Sequence, residues 1–160
     1  MHDLLFSLRR ARIPTALITN GGSDTQREKL TVLNLEPWFD VVIVSGEFRL
    51  AKPDAAVFAL ALDRLGIGPE GVWHVGDSLR TDVAGAKAAN LTAVWLNRRA
   101  LPPGPNDPFP TQRFARWRIC NRLVPWPDLN QHVPVLLNEL TFRALRPVNN
   151  GGGCGPRFAH

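Results

Sequence analysis

Along residues 3–97 the apolar positions switch repeatedly between a helical period and short unbroken runs. In DLLFSLRRA (3–11), Leu4, Leu5 and Leu8 share one face and arginines follow, which predicts an amphipathic helix. PTALIT (14–19) is a short apolar run closed by Asn20-Gly21-Gly22, a strand leading into a turn. DTQREKLTVLNL (24–35) predicts a helix opened by Asp24. VVIVS (41–45) is β-branched without polar alternation, the pattern of a strand covered on both faces. DAAVFALALDRLG (54–66) predicts a helix that stops at Gly66. GVWHVG (71–76) is a further buried strand, TDVAGAKAA (81–89) a helix ended by Asn90, and TAVWLN (92–97) a last strand. Strands and helices alternate with connections of a few residues. That pattern is α/β: a parallel sheet with helices on both faces, in three layers.

After Arg99 the rhythm stops. LPPGPNDPFP (101–110) is neither helix nor central strand, because proline lacks a backbone donor and fixes φ. VPVLLNEL (133–140) predicts a final short helix, and the glycine-rich end reads as flexible. The expected organisation is a core over 1–99, a Pro/Arg-rich insertion and closing segment over 100–140, and a tail over 141–160.

Composition sharpens this division. Residues 1–97 carry ten Lys/Arg against eleven Asp/Glu, whereas residues 98–160 carry nine Arg against three acids. Four prolines precede residue 98 and ten follow it. No apolar run is long enough to span a membrane, and the N-terminal stretch lacks the charge order and cleavage site of a signal peptide. Cys120 and Cys154 have no paired spacing, so neither a disulfide framework nor a zinc site is expected, and the expected compartment is the cytoplasm.

In open parallel sheets, ligands bind beyond the carboxyl ends of the strands. Three clusters follow predicted strands: Thr19-Asn20-Gly21, the loop GEFRLAKPD with Lys52, and Gly76-Asp77 with Asp82. Each has a plain structural explanation. Asn-Gly is a common turn, a lysine before proline is equally a solvated loop charge, and Asp82 near a helix start suits the N-terminal dipole. Together they make chemical sense for phosphate. A hydroxyl and backbone donors hold phosphoryl oxygens, a lysine offsets their charge, and two carboxylates supply the hard oxygens that Mg²⁺ takes.

LITNGG, AKPD and HVGDSLRTDVAGAKAAN, in this order and spacing, resemble motifs II, III and IV of the haloacid dehalogenase-like (HAD) hydrolase superfamily. The resemblance covers residues 4–97 and implies a HAD-like Rossmannoid fold and Mg²⁺-dependent hydrolysis of a small phosphorylated metabolite. It implies that Thr19, Asn20 and Gly21 hold phosphate, and that Lys52 is catalytic and steadies both nucleophile and phosphate. Asp77 would bind Mg²⁺, with Asp82 completing or supporting the metal site. VPWPDLNQHVPVLLNEL (124–140) faintly resembles the closing segment of these proteins.

The superfamily's first motif, Asp-x-Asp-x-(Thr/Val), carries the nucleophile, and no two of the nine aspartates here are separated by one residue. The motif belongs on a strand ahead of the first helix, so the chain is expected to be truncated and inactive alone. Loss of a nucleophile elsewhere removes on the order of 10⁶ in rate. The central strand of the sheet would be missing too, leaving two apolar strand edges to pair with each other or with a second copy of the chain. No cap domain fits between Gly21 and Lys52. The alternative is a non-catalytic remnant that binds phosphate or a protein partner. The basic stretch TQRFARWRICNR (111–122) has arginines interleaved with aromatics, but a plain loop is favoured there over a nucleic-acid surface.

Overall fold

The computed structural model describes residues 2–97, 99–114 and 134–138. Its sheet has six strands: β1 (Thr15–Thr19), β2 (Val41–Val44), β3 (Trp73–Gly76), β4 (Thr92–Leu96), β5 (Gln112–Phe114) and β6 (Val135–Leu137). The spatial order is β2-β1-β6-β3-β4-β5, and every pairing is parallel. The helices are α1 (His2–Arg10), α2 (Ser23–Val32), α3 (Ser45–Phe48), α4 (Ala55–Leu65) and α5 (Ala84–Ala88), with a 3₁₀ turn at Glu36–Trp38 and a π-helical turn at Leu79–Val83.

Strand alternation sorts the core into two layers. Leu17, Val75, Val94 and Leu137 point to one face, where they pack with Leu5 and Leu8 of α1 and Leu30 of α2. Ala16, Ile18, Ala93 and Leu136 point to the other, where Val57, Phe58 and Ala61 of α4 and Ala86 of α5 cover them. Both faces of the strands are therefore dry, which is why their sequences carry no polar alternation. At the ends of α4 the side chain of Asp54 accepts from the Ala56 amide at 2.9 Å, and Gly66 takes the left-handed conformation.

The α/β class and the parallel sheet are as expected, with one correction at the centre. Residues 133–140 were expected to form a short helix; Val135–Leu137 are instead a strand inserted between β1 and β3. Physical chemistry favours this. Two facing strand edges offer backbone donors and acceptors that an extended segment can satisfy and a helix cannot. Val135, Leu136 and Leu137 are fully buried there, each side chain contributing about 1.5–3 kcal/mol of apolar burial. The edges of β1 and β3, expected to be open, are thus paired within the chain. A second difference is Gln112–Phe114, expected as loop, which pairs with β4. The rest of the basic stretch to residue 122 and the expected tail over 141–160 lie outside the described residues.

Candidate active site at the carboxyl edge of the sheet

The carboxyl ends of β1, β3 and β6 and the loop after α3 bring all the sequence-nominated residues to one edge. Thr19 ends β1 and is fully buried. Its hydroxyl makes no hydrogen bond among the described residues. Asn20 next to it staples the edge together. Its side-chain Nδ2 donates to the Lys52 carbonyl at 2.8 Å and its Oδ1 accepts from the Lys52 main-chain amide at 3.0 Å. Gly21 has φ +144°, and a Cβ there would collide with the Gln26 side-chain amide, so only glycine fits. The Gly21 amide donates to Ser45 Oγ at 2.9 Å. The Asn20 side-chain amide and the Gly21 main-chain amide are thus used within the fold, and Thr19 offers a spare hydroxyl donor.

Lys52 is buried, and its Nζ donates to the Ile18 carbonyl at 2.8 Å and pairs with Asp82 Oδ1 at 2.7 Å. Asp82 has no exposed surface. The π-helical turn aims its carboxylate back at the sheet. The amides of both Asp82 and Val83 donate to the Ser78 carbonyl, at 2.9 and 3.1 Å, and Ser78 Oγ accepts from Thr81 at 3.2 Å. Gly76 is what lets the carboxylate come so close, because a Cβ there would overlap it. Asp82 Oδ1 also meets His74 Nε2 at 3.3 Å, while Oδ2 accepts from the Ser78 amide at 3.0 Å and from Asn138 Nδ2 at 2.9 Å.

These contacts set the charges. Burial pushes the Asp82 carboxyl up, but the His74 hydrogen bond and the Lys52 cation outweigh it and hold the group well below the usual carboxylate range. Burial drives His74 down more strongly than Asp82 raises it, and its Nε2 stands within hydrogen-bond distance of the carboxylate.

Asp77, half-buried, borders a cavity of about 450 Å³ lined by Trp95, Leu96, Asn97, Arg99 and Leu101. Its main-chain carbonyl accepts from Trp95 Nε1 at 3.1 Å, and its Oδ1 meets Asn138 Nδ2 at 3.3 Å. The two carboxylates do not fit a cation equally. Asp77 reaches the cavity, whereas both oxygens of Asp82 are already occupied by four donors. Among the described residues no cluster of three or more His, Cys, Asp or Glu could hold a metal ion. The described residues as arranged do not make a complete Mg²⁺ site.

Sequence reasoning missed His74, Ser78 and Asn138. His74 was visible as the one polar residue inside an apolar strand. Asn138 was hidden because its segment reads as a helix.

A profile of haloacid dehalogenase-like hydrolases matches residues 1–90. The phosphoserine phosphatase of Thermus thermophilus is 43% identical over 101 residues, covering 63% of this chain and 41% of that protein. The structure of a HAD phosphatase from Thermococcus onnurineus superposes with TM-score 0.64 at 35% identity, over 71% of this chain and 51% of that one. The HAD hydrolase YfnB of Bacillus subtilis, determined bound to magnesium, gives TM-score 0.64 at 29% identity, over 71% of this chain and 50% of that one. The chain thus spans about two fifths to one half of the length of these relatives. No helix among the described residues is long and apolar enough to cross a membrane. With its ordered motifs converging on one edge of a parallel sheet, this chain belongs to the haloacid dehalogenase-like hydrolase family.

Proposed function

We propose that this edge is the phosphate-binding half of a Mg²⁺-dependent phosphomonoester hydrolase acting on a small phosphorylated metabolite in the cytoplasm. One observation carries the reading: a buried hydroxyl without a partner among the described residues (Thr19) stands one residue beyond Ile18, whose carbonyl receives the buried Lys52 ammonium. A phosphoryl oxygen supplies the acceptor that Thr19 lacks, and Lys52 offsets its charge. Gly21 and Asn20 hold the loop that carries them. Asp77, which borders the cavity, is the carboxylate assigned to Mg²⁺ in this reading, and Asp82 is the fixed counter-ion of Lys52. Phosphatase relatives and a magnesium-bound neighbour support the substrate class and the cation. The unpaired spacing of Cys120 and Cys154 supports the compartment.

A second reading, binding without turnover, is favoured by Asn138. It stands at the tip of the middle strand, where the resemblance puts an aspartate nucleophile, and a neutral amide does not serve as one. The test is p-nitrophenyl phosphate with Mg²⁺ and the full chain. Product released by the wild type and lost in Asp77→Ala supports hydrolysis at this site. Saturable phosphate binding without product supports the second reading. Release unchanged in Asp77→Ala contradicts the site.

A further inference from the structure

We propose that Asn138 sets how tightly this edge holds a divalent cation: its carboxamide lies between the carboxylates of Asp77 and Asp82 and donates to both. The inference rests on the phosphomonoester reading of the same edge. Asn138 is buried just beyond β6, with its main-chain amide donating to the Val75 carbonyl at 3.1 Å. Its Nδ2 lies 3.3 Å from Asp77 Oδ1 and 2.9 Å from Asp82 Oδ2, so one NH₂ group spans two carboxylates. The amide orientation follows from that geometry, because the opposite face would set a carbonyl oxygen against two anions.

A carboxylate offers about four acceptor positions. On Asp82 these are met by Lys52, His74, Ser78 and Asn138. A cation therefore reaches Asp82 only by displacing a donor, and Asn138 is the one it shares with Asp77. Two N–H bonds in that position present hydrogen to the place where Mg²⁺ needs anionic oxygen. Replacing the amide by a carboxylate reverses the polarity at the same point. Asp77, Asp82 and the new carboxylate would then face one another with Lys52 as the only buried cation described beside them. The cluster would repel itself when empty and bind Mg²⁺ when it is offered.

The test is Mg²⁺ titration of the full chain by calorimetry, together with the Mg²⁺-induced shift in melting temperature. We expect weak Mg²⁺ binding in the wild type. Asn138→Asp should bind about tenfold more tightly or better, melt lower in EDTA than in Mg²⁺, and lose the gain when Asp77→Asn is added. Asn138→Ala removes the plug without adding charge and covers the case in which Asn138→Asp does not fold. It should bind Mg²⁺ more tightly than the wild type. Wild-type binding as tight as that of Asn138→Asp, or no gain in either variant, overturns the proposal. Phosphate binding measured without cation fails or succeeds independently, so the two readings are separable.

Discussion

Thr19→Val should make the protein more stable and weaken its hold on phosphate. The Thr19 hydroxyl is fully buried and makes no hydrogen bond among the described residues. Valine keeps the volume and the β-branch that a strand favours, and replaces the hydroxyl by a methyl. A buried polar group left unpaired costs about 1–3 kcal/mol. Allowing for imperfect fit, a gain of about 1 kcal/mol is expected, which for a chain of this size is a rise of about 2–4 °C in melting temperature. On the ligand side, a hydrogen bond to a charged oxygen is worth about 1.5–3 kcal/mol. Its loss should weaken phosphate binding roughly tenfold to a hundredfold. Thermal unfolding by circular dichroism and a calorimetric phosphate titration read the two effects separately. A melting temperature lowered by several degrees with phosphate affinity unchanged would refute the reasoning, since Thr19 would then be a satisfied core residue.

Other substitutions separate structural from ligand-facing roles. Asp82→Asn leaves Lys52 buried without its counter-ion and should cost about 3–5 kcal/mol in urea unfolding. Asp77→Asn, half-buried, should cost about 1 kcal/mol or less; equal costs would contradict the division between them. Leu136→Ala should cost about 2–5 kcal/mol, because Leu136 is fully buried in the middle strand; an unchanged urea midpoint would mean that β6 is not docked. Stability should also fall on acidification. His74 is held below its ordinary value of 6.5, chiefly by burial, so below that pH the unfolded chain takes up a proton that the folded chain refuses. That stability is present above about pH 6.5 and is lost as pH falls. Asp82, held below its ordinary 3.8 by His74 and Lys52 despite its burial, adds a second loss below that pH. His74→Gln should flatten the urea midpoint between about pH 5 and pH 7, and a wild-type midpoint that rises on acidification would contradict the sign.

What the sequence disclosed and what it hid follow from the range of the interactions involved. The run VVIV announces a strand packed within the sheet because nothing in it needs water. Asp54 and Gly66 bracket α4 by local capping chemistry, and Asn90, at φ +59°, follows α5 as expected. The convergence of Thr19, Lys52 and Asp77 was legible once the sheet was parallel, since all three follow strand ends. Val135–Leu137 was not legible as a strand. A three-residue apolar segment has no period of its own, and its state is decided by edges more than fifty residues away. The division of labour between Asp77 and Asp82 was equally hidden. Five residues of spacing do not reveal that a π-helical turn buries one carboxylate against Lys52 and leaves the other at a cavity.

The most direct test of the central claim is a ¹⁵N–¹H correlation spectrum of the full chain during titration with inorganic phosphate. The account predicts saturable shifts confined to residues 18–22, 45–53 and 76–82, the carboxyl edge of the sheet. A second cavity, of about 570 Å³, lies beside the amino ends of β1 and β2 and is bordered by Arg9, Arg12 and Arg64. Shifts centred there, or none at the carboxyl edge, would contradict the account.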